Sequence, residues 1–169
     1  MKVAFIALFF VASVFAQNPS AVATAACGPE KVSINVKLDK SDHGLAQPDP
    51  GKALVYIIQD RGKYPAGYVG TVVTMIGLDG KWVGANKNNS YFSISVEPGE
   101  HHMCACVQSR LGHPVGLVHF TAEAGNVYYF DARVVASDYG SYLFLGVVDS
   151  DQAKFQIASY PLSVSTPKK

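Results

Sequence analysis

Soft metal-ligand side chains cluster in the segment EPGEHHMCACVQS, residues 97–109. Its centre, HHMCAC, places two histidines, one methionine and two cysteines side by side. Zinc and copper favour nitrogen and sulfur ligands of these kinds. The hairpin that follows adds two further histidines nearby in the sequence. The candidate metal ligands are His102, Cys104, Cys106, His113 and His119.

The spacing of these side chains limits what a single ion can contact. In a β-strand, His102, Cys104 and Cys106 share one face. The alternate positions, which include Met103 and Ala105, are more apolar, so we assign them to the core. Side chains two residues apart on a strand face lie about 6.5 Å apart, whereas each ligand of a zinc ion must approach to about 2.0–2.3 Å. All three cannot bind one ion without distortion, and Cu(I) best suits the sulfur ligands.

The three cysteines permit one disulfide and leave one thiol. A bond between Cys104 and Cys106 is disfavoured, because their separation on one strand face exceeds the usual Cβ spacing of about 3.8 Å. Cys27 is therefore the expected partner of one of them. The spacing leaves both pairings open.

Catalytic chemistry has little support in the residue pattern. Ser109, His113 and Asp131 supply the three residue types of a hydrolytic triad, but no Gly-x-Ser-x-Gly turn accompanies them. We therefore predict that the protein is not an enzyme and that it uses no cofactor.

The first residues, MKVAFIALFFVASVFAQ, predict export. One lysine, an apolar run and small residues before Gln17 are typical of a secretory signal peptide at residues 1–16. A lipid anchor at Cys27 is less favoured, because the residues before it do not form a Leu-led lipobox. The expected location is periplasmic or secreted, and residues 17–30 are expected to form a flexible leader.

Charge argues against a nucleic acid partner, and the distribution of apolar residues argues against a membrane-spanning segment. The chain carries 14 basic and 13 acidic residues, and loss of Lys2 with the signal peptide makes the two numbers equal. Because no basic cluster is larger than the pair Lys168 and Lys169, no nucleic acid partner is expected. After the signal peptide no apolar stretch approaches the roughly 18 residues of a membrane-spanning helix. No integral membrane segment is expected either.

A pattern of short strands must position these side chains. Apolar and polar residues alternate, with Gly, Pro or Asn between the runs at spacings of about ten residues. This predicts an all-β fold, an antiparallel two-sheet β-sandwich of the immunoglobulin-like or prealbumin-like kind, with about eight strands in residues 31–160. Asp79 and Gly80 predict a tight hairpin, and Asp149 or Ser150 is the predicted N-cap of one short C-terminal helix. Residues 161–169 are expected to form a frayed tail.

Aromatic residues gather in two neighbouring strands of the C-terminal half. By period two, half of them face the core, where burying such a side chain stabilises the fold by about 1.5–3 kcal/mol. The outward half offers a surface for a protein, a glycan or a small ligand. The candidate surface residues are Tyr128, Tyr129, Tyr139 and Tyr142.

Four segments occur in an order and spacing that resemble a known family: GKALVYI at 51–57, LDGKWVG at 78–84, YFSISVEPGEHH at 91–102 and AEAGNVYYF at 122–130. The chain is similar in these segments to the bacterial exported proteins grouped as domain of unknown function 2846. The corner VEPGEHH also resembles the Pro-Gly-x-His hairpin of PEGA-type surface modules, which are small β-sandwiches. The resemblance implies a sandwich fold and a place in the bacterial cell envelope, and it implies no catalytic residue.

The resemblance also favours a disulfide between Cys27 and Cys104 over one between Cys27 and Cys106. The function that the sequence then predicts is an exported, non-enzymatic envelope module with a binding or structural role. Its partner would be a protein, a glycan or a small ligand. The alternative is a periplasmic metal-binding protein that uses the HHMCAC strand for copper or zinc.

Overall fold

The chain folds into two β-sheets packed face to face. The computed structural model describes residues 23, 25–28, 32–41, 44–60, 71–108, 115–137 and 140–168. The predicted signal peptide, His113 and Tyr139 lie outside these residues. Where residues are described, the chain is mostly strand with one short helix.

Ten strands and one helix are present in the described part of the chain. The strands are β1 (Ile34–Asp39), β2 (Ala53–Gln59), β3 (Val73–Leu78), β4 (Lys81–Lys87), β5 (Ser90–Val96), β6 (Gly99–Val107), β7 (Val115–Ala122), β8 (Val127–Ser137), β9 (Gly140–Val147) and β10 (Leu162–Pro167). The helix, α1, spans Ser150–Ser159. Sheet A has the order β1-β10-β5-β2-β8-β9, and sheet B has the order β4-β3-β6-β7.

The main core lies between the two sheets and confirms the predicted all-β sandwich. Ile57 and Phe130 of sheet A pack there with Ile76 and Met103 of sheet B, and all four are almost completely buried. The predicted hairpin at Asp79 is also present, since this residue has φ 49° and the glycine after it has φ 77°.

Two strand pairs differ from the predicted antiparallel arrangement. In sheet A, β2 runs parallel to β8, and β5 runs parallel to β10. Between β2 and β8 the chain forms all four strands of sheet B and also β5, which pairs with one side of β2 in sheet A, so that β8 pairs with the other side of β2. Such a crossover is set by long-range packing, which the periodicity of one strand does not reveal.

The expected frayed tail is wrong for Leu162–Pro167. These residues form β10, which pairs with β1 over all six positions. Ser163 is buried, and its hydroxyl donates a 2.7 Å hydrogen bond to Ser90 Oγ. The strand was missed because a serine, Ser163, occupies its buried position, whereas the apolar Val164 is exposed.

The expected flexible leader is wrong for residues 25–28. Ala26 and Cys27 are buried on the outer face of sheet B. They lie over Gly77, where a Cβ atom would stand only 2.6 Å from the Cys27 Cα atom. Gly80 N–H also donates to the Ala26 carbonyl oxygen at 3.4 Å. A glycine in mid-strand therefore creates the space in which this segment packs.

Helix α1 covers the outer face of sheet A. Of the two predicted caps, Asp149 is the one in the structure, because its Oδ1 accepts hydrogen bonds from the N–H groups of Asp151 and Gln152. Ala153 and Ile157 pack on the second apolar cluster of the sheet. Within the described ranges, no helix has the length and apolar character needed to cross a membrane.

Candidate functional site

The thiol-rich strand β6 is split between the core and a disulfide. Met103 and Ala105 face the main core, as predicted. Cys104 points to the opposite face and is bonded to Cys27, with a Cα–Cα distance of 5.2 Å. Cys106 is buried and is not part of the disulfide, and burial raises the pKa of its thiol. A thiol of this kind is poorly suited to nucleophilic or metal chemistry.

The neighbouring strand explains why Cys104 is the bonded cysteine. In the β3–β6 register Cys104 stands opposite Gly77, whereas Cys106 stands opposite Met75. The 25–28 segment packs over the glycine, so Cys27 reaches the nearer sulfur. The Met75 side chain instead packs against Ile34. The pairing that the resemblance favoured is therefore the one in the structure.

The predicted metal ligands are only partly brought together. The sulfur of Cys104 is in the disulfide and does not act as a thiolate there. His102 and His119 stand directly opposite one another on β6 and β7 with ring centres 5.0 Å apart. His113 lies outside the described residues. In the part of the chain that the structure describes, no three or more His, Cys, Asp or Glu residues form a group that could hold a metal ion.

A carboxylate–imidazole pair lies beside these histidines. Asp79 Oδ2 is 2.7 Å from His101 Nδ1, and Asp79 Oδ1 accepts a 2.9 Å hydrogen bond from His102 N–H. The other ring nitrogen, His101 Nε2, is 2.8 Å from the Glu97 carbonyl oxygen. Both partners of the ring are acceptors, so both nitrogens bond best when each carries a hydrogen. The site therefore favours the imidazolium form of His101.

The protonation of this pair follows from competing effects. Burial lowers the pKa of His101, but the hydrogen bonds to Asp79 and Glu97 outweigh it and the net pKa is raised. Burial likewise raises the pKa of Asp79, but the hydrogen bonds from His101 and from His102 N–H outweigh it and the net pKa is lowered. The pair is thus stabilised with both members charged.

The predicted aromatic surface is divided between the two faces of sheet A. Tyr128 packs against the main core and its ring centre is 5.7 Å from that of Phe120. Tyr129 stacks on Tyr56 at 5.6 Å on the outer face. Tyr142 is 53% exposed, and Tyr139 lies outside the described residues. Only Tyr142 among the described members of this set is largely open to solvent.

A groove of about 590 Å³ opens between helix α1 and the loop before β2. The loop is held by a 2.7 Å hydrogen bond from Ala46 N–H to Tyr56 Oη. The lining residues are Lys40, Ser41, Gly44, Leu45, Tyr91, Lys154, Ile157, Ala158, Ser159, Tyr160 and Pro161. Apolar and aromatic groups thus lie beside two lysines in one concave surface.

No protein-family model, curated protein or solved structure matches the chain.

A polar cluster adjoins the groove at Tyr160. Gln156 Nε2 donates a 3.0 Å hydrogen bond to Asp60 Oδ2. Burial, followed by the nearby Asp60 carboxylate, raises the pKa of Tyr160 to about 12. Burial raises the pKa of Asp131 to about 6, although Arg133 lies 3.3 Å from its carboxylate and lowers it. The hydrogen bond from Gln156 to Asp60 connects the C-terminal half of helix α1 to the end of strand β2 in sheet A.

Proposed function

We propose that this protein is an exported, non-enzymatic β-sandwich module of the bacterial cell envelope, and that it binds a small amphipathic anion in the groove beside helix α1. The observation that carries the proposal is the groove itself. Its volume, about 590 Å³, falls within the range of about 300–1,000 Å³ typical of small-molecule sites.

The chemistry of the groove supports a ligand with one apolar and one anionic part. Leu45 and Ile157 supply apolar contacts, and Tyr91 supplies an aromatic one. Lys40 and Lys154 add two positive charges to the same lining. An apolar body would lie against the first group, while a carboxylate, sulfate or phosphate would pair with the ammonium groups.

The same lining supports binding rather than catalysis. Among its described residues there is no histidine, cysteine or carboxylate side chain. Histidine and carboxylate side chains are the common general acids and bases, and a serine hydroxyl in the lining would need such a neighbouring base to act as a nucleophile. The predicted triad residue Asp131 is not among the lining residues, and Ser109 and His113 lie outside the described residues.

The compartment is the second part of the proposal. The disulfide Cys27–Cys104 supports an oxidising environment, and the first residues are typical of a signal peptide. Membership of the family designated domain of unknown function 2846, and an immunoglobulin-like or prealbumin-like strand arrangement, belong to the same proposal. The absence of a nucleic acid partner follows from the balanced charge.

The groove can be tested with anilinonaphthalene sulfonate, an aromatic anion whose fluorescence rises in apolar surroundings. The purified protein is expected to bind one molecule saturably. Leu45→Ser should weaken binding because it removes an apolar contact, and Lys154→Gln should weaken it because it removes a charge. Each variant is expected to raise the dissociation constant several-fold. Fluorescence titration at fixed ionic strength measures these constants.

Phe155→Ser is the matched control. Phe155 lies on the same helix and is 68% exposed, more than Leu45 at 47%, but it does not line the groove. The control variant should bind the probe as the wild type does. If it lost as much affinity as Leu45→Ser, or if the wild type bound no probe saturably, the groove would not be the ligand site.

A further inference from the structure

We propose that His102 and His119 form a two-histidine binding site for a divalent transition metal ion, with Cu²⁺ bound more tightly than Zn²⁺. The site lies on the outer face of sheet B. It is independent of the groove, which lies against sheet A, so either proposal can fail without the other.

The strand register brings the two imidazoles together. His102 on β6 pairs directly with His119 on β7, and directly opposed residues point to the same face of a sheet. The two rings stand with their centres 5.0 Å apart and their planes inclined at 36°. Since the two strands are joined over eight paired positions, this separation is held by the sheet.

The separation matches that of two imidazoles bound to one ion. A metal–nitrogen distance of about 2.0–2.1 Å places the ion about 3.2 Å from each ring centre. Two such rings have centres about 5.2 Å apart at a tetrahedral angle and about 4.5 Å apart at a right angle. The observed 5.0 Å lies between these values. Side-chain torsions therefore need only aim the nitrogens, with no movement of the strands.

The ring nitrogens of this pair are available, unlike those of the adjacent histidine. Both nitrogens of His101 are engaged, with Asp79 and with the Glu97 carbonyl. His102 and His119 are exposed, and within the described residues neither ring nitrogen has a hydrogen-bond partner. Imidazole suits Zn²⁺, Ni²⁺ and Cu²⁺, and water would fill the remaining coordination positions.

The sulfur atoms of the same strand do not complete the site. Cys104 is in the disulfide, and Cys106 is buried opposite Val115, four residues along the strand from His102. The proposal thus keeps two nitrogen ligands and excludes a thiolate. This distinguishes it from the soft copper site that the sequence pattern alone suggests.

Isothermal titration of metal-free protein, purified without a histidine tag and with its disulfide intact, tests the site. The wild type should bind one Cu²⁺ per chain, and Zn²⁺ more weakly at the same place. His102→Asn and His119→Asn should each weaken Cu²⁺ binding on the order of 100-fold, because the second imidazole binds intramolecularly. The fold of each variant is checked by circular dichroism.

Cys106→Ala is the matched control, since it removes the thiol that lies outside the disulfide and leaves both imidazoles. It should bind Cu²⁺ as the wild type does. A second measurement, NMR of the histidine rings during Zn²⁺ addition, should shift the signals of His102 and His119 and leave those of His101 in place. Three results would each overturn the proposal: no one-to-one binding by the wild type, unchanged affinity in both histidine variants, or a matching loss in Cys106→Ala.

Discussion

Asp79 serves both the backbone and the side chains around it. Its φ of 49° fits the first central position of the hairpin between β3 and β4. Its two carboxylate oxygens accept from His101 and from the backbone of His102. These hydrogen bonds connect the β3–β4 turn to strand β6, and one of them involves the ionisable imidazole of His101.

The first prediction concerns pH. His101 has a raised pKa in the folded protein, so its contribution to stability is complete below its unfolded pKa of about 6.5 and is lost as pH rises through the higher folded value. Asp79→Asn removes the charged partner while keeping a residue that tolerates positive φ. It should lower the free energy of unfolding by about 1 kcal/mol at pH 5.5 and change it little at pH 9.

Urea unfolding at the two pH values measures this difference. Asp131, whose raised pKa of about 6 makes its burial costly as pH rises from about 4 to 6, is present in both proteins, so its effect cancels when the variant and the wild type are compared at the same pH. His101→Gln should show the same flattened pH dependence as Asp79→Asn above pH 6.5. An Asp79→Asn protein that lost equal stability at both pH values would show that the pair does not act through the imidazolium.

At the scale of elements, the packing of the 25–28 segment on sheet B depends on Gly77. A methyl group there would overlap the Cys27 backbone, so Gly77→Ala should displace the segment and lower the free energy of unfolding by about 1–3 kcal/mol. The Cys27–Cys104 disulfide should also be reduced faster, because displacement of the segment exposes it to the reductant. Denaturant unfolding and timed reduction with a thiol measure the two effects.

A truncated protein that begins after residue 28 provides the control for this variant. The three atoms nearest to a Cβ at Gly77, all of them in Ala26 and Cys27, are then absent, so the alanine should have little effect. The two measurements form a double-mutant cycle. It separates the contact between the 25–28 segment and residue 77 from the intrinsic preference of the strand for alanine. An equal loss in both backgrounds would place the strain within sheet B.

Most strand positions and the hairpin partners were predictable, but strand partners distant in the chain were not. β2 and β5 carry strong apolar or alternating patterns, and both were found. β10 has the same period with small hydroxyl side chains, so its burial depends on Ser90, which is 73 positions away in the chain. The parallel pair of β2 with β8 likewise depends on how the whole chain crosses between sheets. Local patterns carry no signal for such contacts.

The two candidate sites also differ in how far the sequence could predict them. The pairing of His102 with His119 could be anticipated, because one hairpin joins their strands and the sequence indicated both. The groove could not, because Lys40, Tyr91 and Lys154 come from three distant parts of the chain. None of these residues carries a motif, and only the docking of helix α1 on sheet A brings them together.

At the scale of the whole molecule, the disulfide links the N-terminal segment to the centre of sheet B. Its cysteines are 77 residues apart, and closing a loop of that length stabilises the folded state by about 4 kcal/mol in the chain-entropy description. The double variant Cys27→Ala and Cys104→Ala should lose about this amount. Denaturant unfolding without reductant measures it, and the wild type in reductant should unfold like the variant. A loss well below 1 kcal/mol would contradict a structural role for the bond.

The order of strands in sheet A also sets an order of assembly. Among the strands that the structure describes, β1 comes first along the chain, and its hydrogen-bonded neighbour in sheet A is β10, which comes last. A nascent chain released before residue 162 would therefore lack the described strand that pairs with β1 in sheet A, and unpaired strand edges are templates for unwanted pairing between chains. β1 can pair with β10 only after β10 has been translated. The time during which β1 lacks this partner therefore depends on the length of chain between the two strands.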